Sequence, residues 1–228
     1  MKSQLIAALS ILFLAFQVSA EENLVLKNQK EKMSYVIGMD IGNNFKRQSI
    51  DVDPNILARG IQDALSGAKS LVTEQEIQDT LTAFQKERAA KQEEVGKKNK
   101  NEGETFMTAN KKKEGVKALA SGLQYKVIKV GTGKKPKIKD SVTTHYRGTL
   151  VDGTEFDSSY KRGQPVSFPV SGVIAGWTEA LQLMEEGATW QLFVPPNLAY
   201  GEKGMGGVIG PNATLIFEIE LISVQEKK

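Results

Sequence analysis

Met33, Ile37, Ile41 and Phe45 recur at steps of four, which puts them on one face of a helix. A second helix is expected to open at Asp53-Pro54, where an acidic side chain can accept from free backbone N–H groups and proline takes the first helical position. Its apolar stripe is Leu57, Ile61, Ala64, Leu65 and Ala68, and it should end near Gly67. A third begins at Thr73-Glu74-Gln75-Glu76, where hydroxyl and carboxylate can satisfy the first turn reciprocally. Ile77, Leu81 and Phe84 continue its apolar face, and there the stripe stops.

From Lys86 to Glu114 charges dominate, and the pattern permits either a solvated helix or a disordered tether. Glu87–Lys91, Glu93–Lys97 and Glu94–Lys98 have the favourable helical order, each worth about 0.2–0.5 kcal/mol. Gly96 and Gly103 oppose this, at up to about 1 kcal/mol each inside a helix. Ala89, Ala90 and Gln92 favour the helix. Thirty helical residues would extend about 45 Å, as a spacer without a core of its own.

After Gly122 the period becomes two. Leu123, Tyr125 and Val127 alternate, as do Val142, Thr144, Tyr146 and Gly148, and Leu215, Phe217, Ile219 and Leu221. Asp152-Gly153 marks a hairpin turn, and Trp190 to Val194 is a strand stopped by Pro195-Pro196. Trp177, Leu181 and Met184 read as one short helix packed on the sheet. The expected class is α+β, with an all-α N-terminal part and an antiparallel C-terminal domain. The expected organisation is a leader over 1–20, a helical module over 21–72, a connecting helix over 73–115 and the sheet domain over 116–228.

The leader rests on Lys2, the apolar run Leu5 to Phe16 and the small residues Val18-Ser19-Ala20 ahead of Glu21-Glu22. Those features read as a secretory signal, the run being too short for a spanning anchor. With no membrane span expected in the mature chain, export as a soluble protein follows. Three short helices bury little surface alone. Their stripes therefore imply that a second copy supplies the missing packing, through residues 21–85.

Composition narrows the chemistry. The 228 residues contain no cysteine and one histidine, with a net charge of +3. Disulfides, thiol catalysis, thiolate metal sites and histidine-rich metal sites are excluded, and no cofactor motif occurs, so no metal or cofactor is expected. The basic excess is too small to suggest nucleic acid as a partner. His145, beside Tyr146 in an alternating strand, reads as structural. What remains is aromatic: Tyr146, Phe156, Phe168, Trp177, Trp190, Phe193, Tyr200 and Phe217. Phe168, Trp190 and Phe193 read as core. Phe156-Asp157 after a turn, Trp177 after a glycine and Tyr200-Gly201 in a loop fit a small-ligand or peptide site better.

Five ordered blocks carry a resemblance: V-T-T-H-Y-R-G-T-L (142–150), D-G-T-E-F-D-S-S (152–159), V-I-A-G-W-T-E-A-L (173–181), L-A-Y-G (198–201) and P-N-A-T-L-I-F-E-I-E-L (211–221). Together they resemble the FK506-binding-protein (FKBP) family of peptidyl-prolyl cis–trans isomerases. Y-V-I-G-M-D-I-G-N-N-F-K-R-Q (35–48), G-I-Q-D-A-L-S-G-A (60–68) and L-T-A-F-Q-K-E-R (81–88) resemble its macrophage infectivity potentiator (Mip) branch. The resemblance implies a helical dimerisation module, a long connecting helix and an FKBP-like sheet wrapped on a short helix. It implies an apolar wall of Tyr146, Phe156, Val166, Val173, Ile174, Trp177, Val208, Ile209 and Phe217, with Trp177 as floor. It implies polar contacts from Asp157, Tyr200 and the Ile174 N–H. Val166 stands where many members carry an aromatic, and Met205 where eukaryotic members often have histidine. The implied activity is isomerisation of X–Pro bonds in exported proteins, in the periplasm or at the outer surface of a Gram-negative cell. FK506- or rapamycin-type macrolides are the implied ligands. The alternative is a dimeric holdase or surface virulence factor whose pocket mainly binds.

Overall fold

A computed structural model describes residues 25–48 and 50–227. The leader reading over 1–20 lies outside the described residues. They fall into two compact units, divided after Asn43 within the first helix.

Helix α1 spans Gln29–Arg47 and buries none of its residues. Helix α2 spans Pro54–Ser66, where Asp53 accepts from the N–H groups of Asn55 and Ile56 and Gly67 closes the end at φ 70°. A left-handed residue at that position suits glycine, which has no Cβ to clash. Helix α3 runs unbroken over Glu74–Asn110, opened by the reciprocal Thr73–Glu76 pair. Of the three expected ion pairs, Glu93–Lys97 forms at 2.6 Å, while Lys98 reaches Glu102 instead at 3.9 Å.

The spacer expectation needs correcting, because α3 is solvated only in part. Gly96, Gly103 and Asn110 are buried. Phe106 sits 5.8 Å from the Phe193 ring, Asn110 Nδ2 donates to Gln124 Oε1 at 3.0 Å, and Gln124 Nε2 donates to the Met107 carbonyl at 2.9 Å. The glycines that weaken an isolated helix are here the points where another segment comes close. A Cβ on Gly96 would lie 3.2 Å from Pro211 Cβ, and one on Gly103 would overlap Thr214 Oγ1.

The remainder is a seven-stranded antiparallel sheet. Its strands are β1 (Val116–Ala118), β2 (Gln124–Lys129), β3 (Ser141–Leu150), β4 (Glu155–Ser158), β5 (Val166–Pro169), β6 (Thr189–Val194) and β7 (Leu215–Gln225). The order is β1-β2-β6-β7-β3-β4, with β5 also pairing β3. β3 therefore carries β7 along one edge and both β4 and β5 along the other. Helix α4 (Ala175–Leu181) packs on one face of the sheet. The period-two residues Leu215, Phe217, Ile219 and Leu221 all point inward, against Trp177, Ala180, Leu181 and Met184. Strand alternation and one short amphipathic helix thus build a single core. Among the described residues, no helix is long and apolar enough to cross a membrane.

Candidate functional site

A cavity of about 460 Å³ opens between β3, β4, β5, α4 and the loop after Pro195-Pro196, lined by Tyr146, Phe156, Asp157, Phe168, Gly172, Val173, Ile174, Trp177, Tyr200 and Phe217. Its floor is a set of rings packed around Trp177, Tyr146 and Phe217 edge-to-face and Phe168 tilted. The Tyr146 centroid is 5.2 Å away at 84°, Phe217 5.1 Å at 84° and Phe168 5.5 Å at 58°. Phe156 meets Phe217 at 5.5 Å and 85°. Edge-to-face packing is the arrangement ring quadrupoles prefer, and it holds each ring in one orientation. Gly148 makes room for the last pair, since a Cβ there would lie 2.6 Å from the Phe156 ring.

The polar rim is one network. The Tyr146 hydroxyl donates to Asp157 Oδ2, Arg162 Nη1 pairs with Asp157 Oδ1, and Arg162 Nη2 donates to the Tyr146 oxygen at 2.8 Å. The guanidinium also lies over the Tyr146 ring, 5.5 Å from its centroid, a favourable cation–π placement. Burial alone pushes the Asp157 carboxyl up, but the Tyr146 hydroxyl and the Arg162 charge outweigh it and hold it below its usual range. Burial, and then the Asp157 carboxylate, raise Tyr146, and the same two causes raise Tyr200. At neutral pH the rim thus carries an ionised carboxylate and two neutral phenols.

Behind the network, Ser159 is fully buried and accepts from the Tyr146 N–H at 2.8 Å. It also shares a hydrogen bond with His145 Nδ1 at 2.9 Å, and His145 stacks on Tyr160 at 4.6 Å. His145 therefore braces the strand that presents Tyr146. Ile174 precedes the first turn of α4, where the leading N–H groups lack intrahelical partners.

The structure brings together Asp157, Tyr200, Trp177, Phe217, Tyr146, Phe156, Val173 and Ile174 of the residues expected from sequence. Val166, Val208 and Ile209 are not among the residues lining this cavity. Val166 opposes Thr144 in the β5–β3 ladder, and the longer Phe168 two residues on reaches the cavity instead. The loop carrying Val208 and Ile209 is turned toward α3. Ile209 is buried in the core and Val208 is half-exposed to solvent. Phe168 is correspondingly a wall residue that packs on the core, and Trp190 and Phe193 are buried as expected. Arg162 escaped the sequence reading. The signal was a basic residue five positions after Asp157, but Lys161 offered the same charge, and only the fold sends Lys161 to Glu155 at 2.7 Å instead.

Residues 30–127 match the domain amino terminal to FKBP-type peptidyl-prolyl isomerase, and residues 132–222 match the FKBP-type peptidyl-prolyl cis-trans isomerase. The outer membrane protein MIP of Legionella longbeachae is 52% identical over 231 residues, spanning 99% of each chain. The peptidyl-prolyl cis-trans isomerase Mip of Coxiella burnetii is 47% identical over 206 residues, spanning 89% of this chain and 90% of that one. The crystal structure of FkpA from Escherichia coli superposes with a TM-score of 0.62 at 40% identity, over 88% of this chain and 99% of that one. A ring-floored cavity on an antiparallel sheet, preceded by a helical domain, and full-length similarity of this strength lead to one conclusion: the chain belongs to the FKBP-type peptidyl-prolyl cis–trans isomerases that carry an additional amino-terminal domain.

Proposed function

We propose that this chain isomerises X–Pro bonds in proline-containing polypeptides outside the cytoplasm of a Gram-negative bacterium, without a covalent intermediate. The uncatalysed bond turns over in tens to hundreds of seconds because amide resonance must be broken. In the twisted transition state the nitrogen lone pair no longer delocalises, so the amide is less dipolar than its planar ground state. Water favours the planar form; a cavity walled by aromatic rings favours the twisted one. That difference in binding is catalysis. An acceleration of about 10³–10⁵ needs about 4–7 kcal/mol off the barrier.

The observation that carries this reading is the ring floor of Trp177, Phe217, Phe156, Phe168 and Tyr146 beneath a polar rim. The rings take the proline side chain, while Tyr200 and the Ile174 N–H donate to carbonyls flanking the bond. Asp157 is ionised and held between Tyr146 and Arg162, which supports an orienting, electrostatic role and not proton donation. Val173 completes the apolar wall. A volume of about 460 Å³ lies within the range of sites for drug-sized ligands, which supports binding of FK506- or rapamycin-type macrolides.

A dimer through residues 21–85 is part of the proposal. In α2 and the segment leading to α3, Ile56, Leu65 and Leu71 are exposed by 70%, 85% and 77%, more apolar surface than a short helical segment leaves in water. Two cavities on one dimer could hold a single client by effective concentration, which supports a chaperone role alongside catalysis. The naming of a relative as an outer membrane protein supports export to the periplasm or cell surface. The test is isomerisation of a proline tetrapeptide with and without rapamycin: macrolide-sensitive turnover is expected, and absence of turnover would refute the assignment.

A further inference from the structure

One face of α3 is built for close approach. Gly96, Gly103 and Asn110 lie seven residues apart and are all buried. The opposing surface reciprocates, since a Cβ on Gly210 would lie 3.1 Å from Val95 Cγ1 and 3.2 Å from Asn99 Nδ2. Two side-chain amides cross the seam in opposite directions. Asn99 Nδ2 donates to the Pro211 carbonyl at 2.8 Å, and Asn212 Nδ2 reaches the Gly96 carbonyl at 3.5 Å. Asn212 has φ 54°, which among the described residues no other non-glycine residue shares in sign. In that conformation its N–H donates to the Gly201 carbonyl at 2.9 Å, closing the 201–212 loop on itself. Gly201 follows Tyr200, and Tyr200 lines the cavity.

We infer that α3 is a positioning element for the isomerase site. It clasps Pro211 and Asn212, Asn212 holds Gly201, and Gly201 fixes the backbone that presents Tyr200. Asn99 is then a positioning residue that acts on substrate through Tyr200, and the inference rests on the carbonyl-binding role given to Tyr200 above. Its consequence is that turnover depends on a helix whose distal end belongs to the segment proposed to dimerise. The same docking explains why Val208 and Ile209 leave the cavity wall: the loop that carries them is committed to α3.

The test uses the full chain and a proline tetrapeptide. Asn99→Ala and Asn99→Asp both remove the donor to Pro211, the second with the side-chain shape kept. Each is expected to lower kcat/KM by about two- to tenfold, the factor carried by one net hydrogen bond. Amide exchange should quicken across 201–212 and stay unchanged at the centres of β3 and β7. Glu93→Ala, on the solvent face of the same helix, should leave kcat/KM unchanged. The deciding measurement is a double-mutant cycle: Asn99→Ala is expected to add no further loss in a Tyr200→Phe background. An equal loss in that background overturns the route through Tyr200. A silent Asn99→Ala beside an impaired Tyr200→Phe overturns the clasp alone. A silent Tyr200→Phe sinks the role assigned to Tyr200 and the inference with it.

Discussion

The helical segment and the sheet domain handle the same kinds of residue in opposite ways. In the sheet domain Leu123, Leu181, Leu192, Leu215, Ile219 and Leu221 are fully buried, and even the rings that line the cavity are braced by other rings. In α1 no residue is buried, and α2 leaves Ile56, Ile61 and Leu65 exposed. Both regions have clear apolar periodicity and good caps. Periodicity therefore shows which face of an element seeks burial, and says nothing of whether its own chain covers that face. One region is a self-sufficient core, close-packed enough that two rings sit where a Cβ on Gly148 would lie. The other leaves apolar side chains that its own chain does not cover.

That contrast can be broken by mutation on either side. A Leu65→Glu substitution should abolish dimerisation at micromolar concentration in sedimentation equilibrium, while tetrapeptide turnover stays at the parental rate; suppression of client aggregation should fall with the dimer. On the other side, Trp177→Ala removes the ring that Tyr146, Phe168 and Phe217 all pack against. It should lower stability by about 3–5 kcal/mol, read from the urea midpoint, because a large cavity opens in the core. Asp157→Ala removes the carboxylate that both Arg162 Nη1 and the Tyr146 hydroxyl donate to, and kcat/KM should fall by about ten- to a hundredfold with an unchanged circular dichroism spectrum. Tyr200→Phe should give a smaller loss, of about two- to tenfold, for one hydrogen bond.

The mildest test is pH. The folded Asp157 carboxyl is held below its ordinary value, so the contribution of its ion pair is complete above the unfolded pKa of about 3.9. It is lost only as pH falls through the lower folded value. A protease-free assay should find kcat/KM level from about pH 5 to about pH 8, because the carboxylate stays ionised throughout that window. A titration near neutrality would argue that Asp157 is not the ionised member of the network.

Much of this was legible from residues. The Asp53 and Thr73 caps, the Asp152-Gly153 turn and the inward alternation of Leu215 to Leu221 all appear where local chemistry places them. Each depends on neighbours a few positions away. Phe168 and Val166 were harder: alternation puts both on one face of β5, and only the position of α4 decides which side chain meets Trp177. Arg162 was harder still. Its competitor Lys161 carries the same charge one residue away, and the turn that separates their partners is a product of strand pairing.

Gly96 and Gly103 mark the boundary most sharply. Read along the chain they are penalties in a helix, because glycine's conformational freedom is a local property. Seen in three dimensions they are the places where Pro211 and Thr214 press against α3. Periods, caps and the aromatic inventory were written into the order of the residues, since each is enforced within a turn or two of backbone. Which glycine is a weakness and which a seat depended on segments more than a hundred positions apart meeting, as Asn99 meets Pro211, and which of several rings lines the cavity depended on how strands and α4 pack together.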